Sequence, residues 1–152
     1  MGLRLLQQEK GPRCLVVTGK ATDLEFNEQI RRHKADRNPG IPVVESDVNL
    51  GQCLRSLHLT ADAVLVDSVD FWVFNVFTKK HPDEYIQDFF ASLEVWRNKR
   101  LILVSAEIGL GPLPSSGFTR RFSRLLGEVN QGLAAMCEDV TLIVAGLPVR
   151  IR

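Results

Sequence analysis

The sequence predicts an α/β fold, a mostly parallel sheet flanked by helices and closed by a C-terminal antiparallel hairpin. Three observations carry that expectation. Four short runs, CLVVT (14–18), AVLVD (63–67), LILVS (101–105) and TLIVA (141–145), are apolar throughout instead of alternating. Strands read this way when helices cover both faces of a parallel sheet. Segments of helical periodicity separate them, the βαβ alternation of a layered sandwich. The chain ends on TLIVA and PVRIR (148–152) with Gly-Leu-Pro between, which reads as a hairpin, Pro148 suiting the start of an edge strand.

In chain order, LRLLQQEK (3–10) looks like the last turns of a helix stopped by Gly11-Pro12. It has no N-cap and no strand before it, so Met1 is expected to fall inside a βα unit. Thr22-Asp23-Leu24-Glu25 after CLVVT fits a capping box, and Asn38-Pro39-Gly40 ends the helix it opens. In 83–97, Tyr85, Phe89, Leu93 and Trp96 share one helical face. In 118–137, Phe118, Phe122, Leu125, Val129, Leu133 and Met136 do the same, with Arg120, Arg121, Arg124 and Glu128 turned elsewhere. No repeat, low-complexity stretch or linker interrupts the pattern, so residues 1–152 are expected to form a single domain.

Composition narrows the function classes. Of 152 residues 45% are hydrophobic, enough for a sizeable core. Charge is balanced, 19 basic against 18 acidic, which argues against nucleic acid or an anionic membrane as partner. Cys14, Cys53 and Cys137 are odd in number, widely spaced and in no metal-ligand pattern. They are expected to be reduced core thiols of a cytoplasmic protein. No apolar run approaches the roughly 20 residues of a membrane span, and no signal-type core follows Met1.

One histidine stands out. In EQIRRHKADR (28–37), Phe26, Ile30 and His33 continue an apolar stripe, while Glu25, Gln29 and His33 lie on the adjoining polar face. His33 therefore sits at the boundary of the two, with Lys34 and Arg37 within a turn. Pattern alone leaves two readings open. One is a half-buried histidine on an ordinary amphipathic helix. The other is a nucleophile, its imidazole neutral near pH 7 and flanked by cations that would hold a phosphate. His58, in an apolar stretch, and His81, at a helix start, are read as structural.

Three stretches then occur in a telling order: ATDLEFNEQIRRHKADR, AVLVDSVDFWVFNVF, and LILVSAEIGLGPLPSSGFTRRFSRLLGEVNQGLAAMCEDVTLIVAGLPVRIR. From about Cys14 to Arg152 the chain resembles the adenosylcobinamide kinase/adenosylcobinamide-phosphate guanylyltransferase family of cobalamin nucleotide-loop assembly. The likeness is densest at Glu107–Gly111, Arg121-Phe122, Leu126-Gly127 and Asn130-Gln131. It implies a P-loop-NTPase-like (RecA-like) sheet and two activities. A kinase phosphorylates adenosylcobinamide with ATP or GTP. A transferase forms a guanylyl-histidine from GTP, releasing pyrophosphate, and passes GMP to adenosylcobinamide phosphate.

By the same resemblance Ile30, His33 and Lys34 match the helix pattern Arg-Ile-x-x-His-Arg/Lys, which places the nucleophile at His33. Nucleotide contacts fall on Val17, Thr18 and Gly19, on Lys34, Ala35, Asp36 and Arg37, and on Glu45 and Asp67. Lys34 and Arg37 would neutralise charge on the phosphoryl oxygens, and Glu45 would accept from the guanine edge or a ribose hydroxyl. Asp67, ending a strand, would hold Mg²⁺; its other reading is a helix N-cap. Glu107 is a second metal candidate. Asn75 and Asn130-Gln131 match the family but read equally well as packing and turn polars. The G-x-G at 109–111 reads as a loop. A homotrimer is the implied assembly.

The resemblance also has gaps. The family opens with a strand and a P-loop, Gly-x-x-x-x-Gly-Lys-Ser/Thr, whose amides cradle phosphates, and no such sequence occurs in these 152 residues. The expectation is a domain truncated at its N-terminus, first strand and P-loop absent, with exposed strand edges and a kinase step deprived of its phosphate cradle, which puts that activity in doubt. Gln29, Asn38, Ile41, Ala106 and Ser123 also depart from the family's residues. An alternative reading is a non-catalytic homologue, a structural or regulatory partner in corrinoid metabolism.

Overall fold

In the computed structural model, which describes residues 1–19, 40–112 and 114–152, the chain forms two compact units, Met1–Ala106 and Glu107–Arg152. Residues 20–39, with the capping box, His33 and Lys34–Arg37, lie outside the described residues, as does residue 113.

The first unit is built on four parallel strands in the order β2-β1-β3-β4: β1 Arg13–Val17, β2 Val43–Glu45, β3 Ala63–Asp67 and β4 Arg100–Val104. The apolar runs at 14–18, 63–67 and 101–105 supply β1, β3 and β4, each within a residue of its expected bounds. β3 lies between β1 and β4, and Ala63 to Val66 are buried, as a doubly covered strand requires. β4 has no second strand neighbour among the described residues and is only partly covered. β2 was not foreseen: three residues behind Pro42 are too few to show a period.

Helices cover both faces. α1 (Gly2–Gln8) lies on one, its Leu6 fully buried with Leu15, Ala63, Leu65 and Ile102. Successive residues of β1 and β3 point to opposite faces, so Cys14, Val16, Val64 and Val66, all buried, look the other way. The remaining helices of the unit are α2 (Leu50–His58), α3 (Val69–Phe77) and α4 (Pro82–Leu93), the last continued by a 3₁₀ turn at Glu94–Trp96. α2 and α4 pack intimately: a Cβ on Gly51 would come within 2.7 Å of the Asp88 carbonyl oxygen. Beside that contact Arg55 Nη2 pairs with Asp88 Oδ1 at 2.6 Å. Trp72 of α3 is fully buried, packs at a tilt against Phe89 with ring centroids 4.6 Å apart, and donates its indole N–H to Val48 O at 2.9 Å. The expected face of α4 is confirmed in Phe89, Leu93 and Trp96; Tyr85 is half-buried.

The second unit holds α5 (Gly117–Met136) and a hairpin, β5 (Thr141–Val144) with β6 (Leu147–Arg150). Ser116 caps α5, accepting from Thr119 N–H. Its buried residues are Leu126, Val129 and Leu133, so the expected stripe needs correcting: Phe118 and Met136, at the helix ends, are exposed, and Leu126 takes the place assigned to Leu125. All six expected positions share one helical face, but that face is covered only along the middle of the helix, so its two ends stay in solvent. Ala145 and Gly146, both at positive φ, make the two-residue turn that suits strand twist in a hairpin. Arg152 donates to the carbonyls of Ala134 and Ala135 in the last turn of α5. All three cysteines are free thiols, Cys14 buried and the others half-buried.

Candidate functional site

Parallel strands end on the same side of a sheet, and ligands of open α/β sheets bind beyond those carboxyl ends. Three of the residues singled out in the sequence meet there. Val17 of β1 pairs in register with Glu45 of β2 on one side and Asp67 of β3 on the other. Val17 is half-buried in the cluster under α1, whereas Glu45 and Asp67 are exposed. Neither carboxylate forms an ion pair among the described residues.

One residue past the sheet, Thr18 is held on every side and is only 1% exposed. Its N–H donates to Asp67 O at 3.4 Å. Its Oγ1 donates to Ser68 O at 2.5 Å and accepts from Ser68 N–H at 3.2 Å. Its carbonyl accepts from Asn75 Nδ2 at 3.0 Å, while Ser46 N–H donates to the neighbouring Val17 O at 2.9 Å. The Thr18 hydroxyl is thus engaged within the protein, and Gly19, half-buried, is the first residue beyond this knot. The Asp67–Ser68 peptide bond is cis. Ser68, not Asp67, occupies the N-cap position of α3, which removes the capping role as an account of Asp67. Asp70, in the first turn of α3, accepts from Ala106 N–H at 3.1 Å and ties that helix to the segment after β4.

Beside β2 lies an open cleft of about 480 Å³, within the range of small-molecule sites. Glu45, Ser46 and Asp47 form one wall; Asn49, Gln52 and Cys53, from the start of α2, form the other. Burial pushes the Cys53 thiol above its usual pKa, and a hydrogen bond with Ser46 partly offsets this. The cleft offers carboxylate, amide and hydroxyl groups, suited to hydrogen-bonding a polar ring or a sugar.

Glu107 lies in the second unit, exposed, with Oε1 accepting from Gly109 N–H at 2.8 Å, so it braces the 109–111 loop. Among the described residues no three His, Cys, Asp or Glu side chains converge on one metal-sized centre. Mg²⁺ takes only one or two carboxylates, with phosphate oxygens and water completing its octahedron. The exposed Asp67 carboxylate fits that donor set. Sequence reasoning missed Ser68, Asp70 and the amides of Asn49 and Gln52; these short polar residues next to helix starts carry no spacing signal of their own. No helix among the described residues is long and apolar enough to cross a membrane.

The family model described as cobinamide kinase / cobinamide phosphate guanyltransferase matches residues 1–151. The bifunctional adenosylcobalamin biosynthesis protein CobP of Pseudomonas aeruginosa is 33% identical over 139 residues, covering 90% of this chain and 80% of that protein. The bifunctional adenosylcobalamin biosynthesis proteins CobU of Escherichia coli and Salmonella typhimurium are 29% and 26% identical, each over 90% of this chain and 84% of theirs.

Proposed function

The chain belongs to the cobinamide kinase / cobinamide phosphate guanyltransferase family, and from that premise we propose that it serves adenosylcobalamin biosynthesis as a guanylyltransferase working through His33. The observation that carries the reading is the alignment of Val17, Glu45 and Asp67 at one sheet edge. Gly19, where the chain leaves for the segment holding His33, lies next to that line. In the first half-reaction an imidazole nitrogen of His33 attacks the α-phosphorus of GTP; the N–P bond forms as the bond to the bridging oxygen breaks, and pyrophosphate departs. In the second, a phosphate oxygen of adenosylcobinamide phosphate attacks the same phosphorus and the imidazole leaves, giving adenosylcobinamide-GDP.

The chain's residues divide the remaining work. Glu45 and the cleft beside it take the guanosine, the carboxylate accepting from the guanine edge or a ribose hydroxyl. Lys34 and Arg37 offset charge on the phosphoryl oxygens and the departing pyrophosphate. Asp67 is the residue that would hold Mg²⁺, which when bound neutralises the triphosphate.

Incubation with α-labelled GTP and Mg²⁺ tests the reading. An acid-labile, base-stable label should form on the protein and discharge onto adenosylcobinamide phosphate. A His33→Ala variant that labels as well as wild type would overturn the assignment. The competing reading, a non-catalytic partner in corrinoid metabolism, draws on Gln29 and Ala106, which depart from the family's residues. It would be favoured by wild-type protein that neither labels nor binds GTP in calorimetry, yet forms a stable complex with another corrinoid-pathway protein.

A further inference from the structure

Three polar side chains around the cleft beside β2 are uncommitted. Asn49 occupies the N-cap position of α2, where an asparagine ordinarily accepts a helix N–H, yet its side chain makes no cap bond. Gln52 follows three residues on, so the two amides share one side of the first turn, turned away from the fully buried Leu50 and Leu54. On the other wall Glu45 ends β2 with its carboxylate exposed. Among the described residues none of these three side chains forms a hydrogen bond or an ion pair.

The walls that carry them are nonetheless fixed. Ser46, buried, donates its N–H to Val17 O at 2.9 Å, and its hydrogen bond with Cys53 joins one wall to the other. Between the walls Val48 O accepts the indole N–H of the buried Trp72 at 2.9 Å. A carboxylate and two amides held this way around one opening are ordered by folding before any ligand arrives, which favours selective binding. Their chemistry matches one base. Along its Watson–Crick edge guanine presents an acceptor at O6 and donors at N1 and the 2-amino group. A carboxylate accepts from both donors at once, and amide N–H groups reach O6. Adenine reverses the edge, and its N1 lone pair would leave the carboxylate unpaired.

We propose that Asn49 and Gln52 are specificity-determining residues of this cleft, their amides donating to O6 of a guanine base while Glu45 accepts from N1–H and the 2-amino group. This assignment rests on the guanylyltransferase reading for the choice of a guanine nucleotide, and it commits Glu45 to the base and not to the ribose. A site built to hydrogen-bond a group rejects analogues that lack it, because its own polar atoms are then left without partners.

Calorimetry with GTP and three analogues tests the assignment. Inosine triphosphate lacks the 2-amino group. 6-Thio-GTP keeps N1–H and the 2-amino group but puts a weakly accepting sulfur in place of O6. ATP reverses the edge. Wild type should bind the first two about tenfold more weakly than GTP, and ATP about a hundredfold more weakly. The double variant Asn49→Ala, Gln52→Ala should weaken GTP about tenfold and leave 6-thio-GTP unchanged. Glu45→Ala should bring GTP and inosine triphosphate to the same affinity. Equal affinity of wild type for GTP and ATP overturns the proposal, as does the absence of GTP binding. So does a double variant that weakens GTP and 6-thio-GTP alike, since a merely structural role for the amides would move both. Labelling of His33 is a separate readout. Wild type that binds with the expected selectivity yet takes no label sinks the transferase reading alone. Wild type that labels, while the double variant keeps its selectivity for GTP over 6-thio-GTP, sinks the role of the amides alone.

Discussion

The two edges of the parallel sheet use charge in opposite ways. At the amino edge Lys99, Asp62, Arg100 and Glu9 are engaged in closing the structure. Lys99 Nζ donates to the carbonyls of His58, the last residue of α2, and of Ala61 beyond it, and lies 3.7 Å from Asp62. Arg100 reaches Glu9 at 3.5 Å, and the Asp62 backbone bonds both Pro12 and Arg100. At the carboxyl edge the polar atoms engaged inside the protein are mostly neutral, those of Thr18, Ser68, Ser46 and Asn75, while the carboxylates of Glu45 and Asp67 stand exposed without an ion pair among the described residues. Charge that satisfies the protein's own backbone contributes to folding; charge placed at a strand end but left to solvent is available to a ligand.

The largest effect that should separate the edges is a pair of substitutions. Asp67→Asn should reduce guanylyl labelling by about a hundredfold, the scale of losing a preorganised charge at a reacting phosphate, while unfolding free energy stays within about 0.5 kcal/mol. Lys99→Met should do the reverse. Losing charge-assisted hydrogen bonds to two carbonyls should cost about 2 kcal/mol in urea unfolding, with the labelling rate of the folded protein unchanged. Lys99→Met slowing labelling without loss of stability would break the contrast.

The next substitution tests whether the cleft depends on packing behind it. α2 carries Asn49, Gln52 and Cys53 to the cleft and lays Gly51 against the backbone of α4 at Asp88. Gly51→Ala places a methyl 2.7 Å from a carbonyl oxygen that cannot move independently of its helix. Overpacking of this kind costs about 1–3 kcal/mol. The expected result is that loss in chemical denaturation together with weaker GTP binding, since the helix must shift and take the cleft wall with it. Stability at wild-type level would show that α2 has more freedom than the contact suggests.

How far the sequence made this legible differs between scaffold and site. β3 could be bounded residue by residue because it is buried on both faces and its apolar run stops at a charged residue. β2 could not, because its three residues owe their strand to pairing with β1, a tertiary cause. In α5 the stripe was right in the middle and wrong at Phe118 and Met136, since periodicity locates a face but not how far along the helix it is covered. At the site, Glu45 and Asp67 stood out by resemblance, and strand ends alone placed Asp67 at the carboxyl edge. The Thr18–Ser68–Asn75 knot was not visible in that way. Its members are short polar residues far apart in the chain, and only the register of β1 on β3 brings them together.

The smallest effect concerns the thiols, and it too divides the sheet interior from the carboxyl edge. Burial raises the pKa of Cys14, within β1, with nearby Cys53 adding to the rise, and burial also raises that of Cys53, on the cleft wall. Burial likewise raises Cys137, partly countered by Arg152. A raised folded-state pKa means the native thiol keeps its proton where the unfolded one has released it, so unfolding releases protons and stability falls with rising pH. That contribution is complete below the unfolded thiol value of about 8.5 and is lost as pH climbs through the higher folded values. Unfolding free energy should therefore decline from about pH 8.5 upward, and the slope should flatten in a Cys14→Ala, Cys53→Ser, Cys137→Ser variant. Only Cys53 should also respond to ligand. Alkylation with iodoacetamide at pH 8 should be slow at all three sites, the thiolate being the reacting form. Saturating GTP should slow it further at Cys53 alone if the cleft takes the guanosine. Equal rates at Cys53 with and without GTP would remove the nucleotide from that wall and leave the exposed carboxylates of the edge to a different ligand.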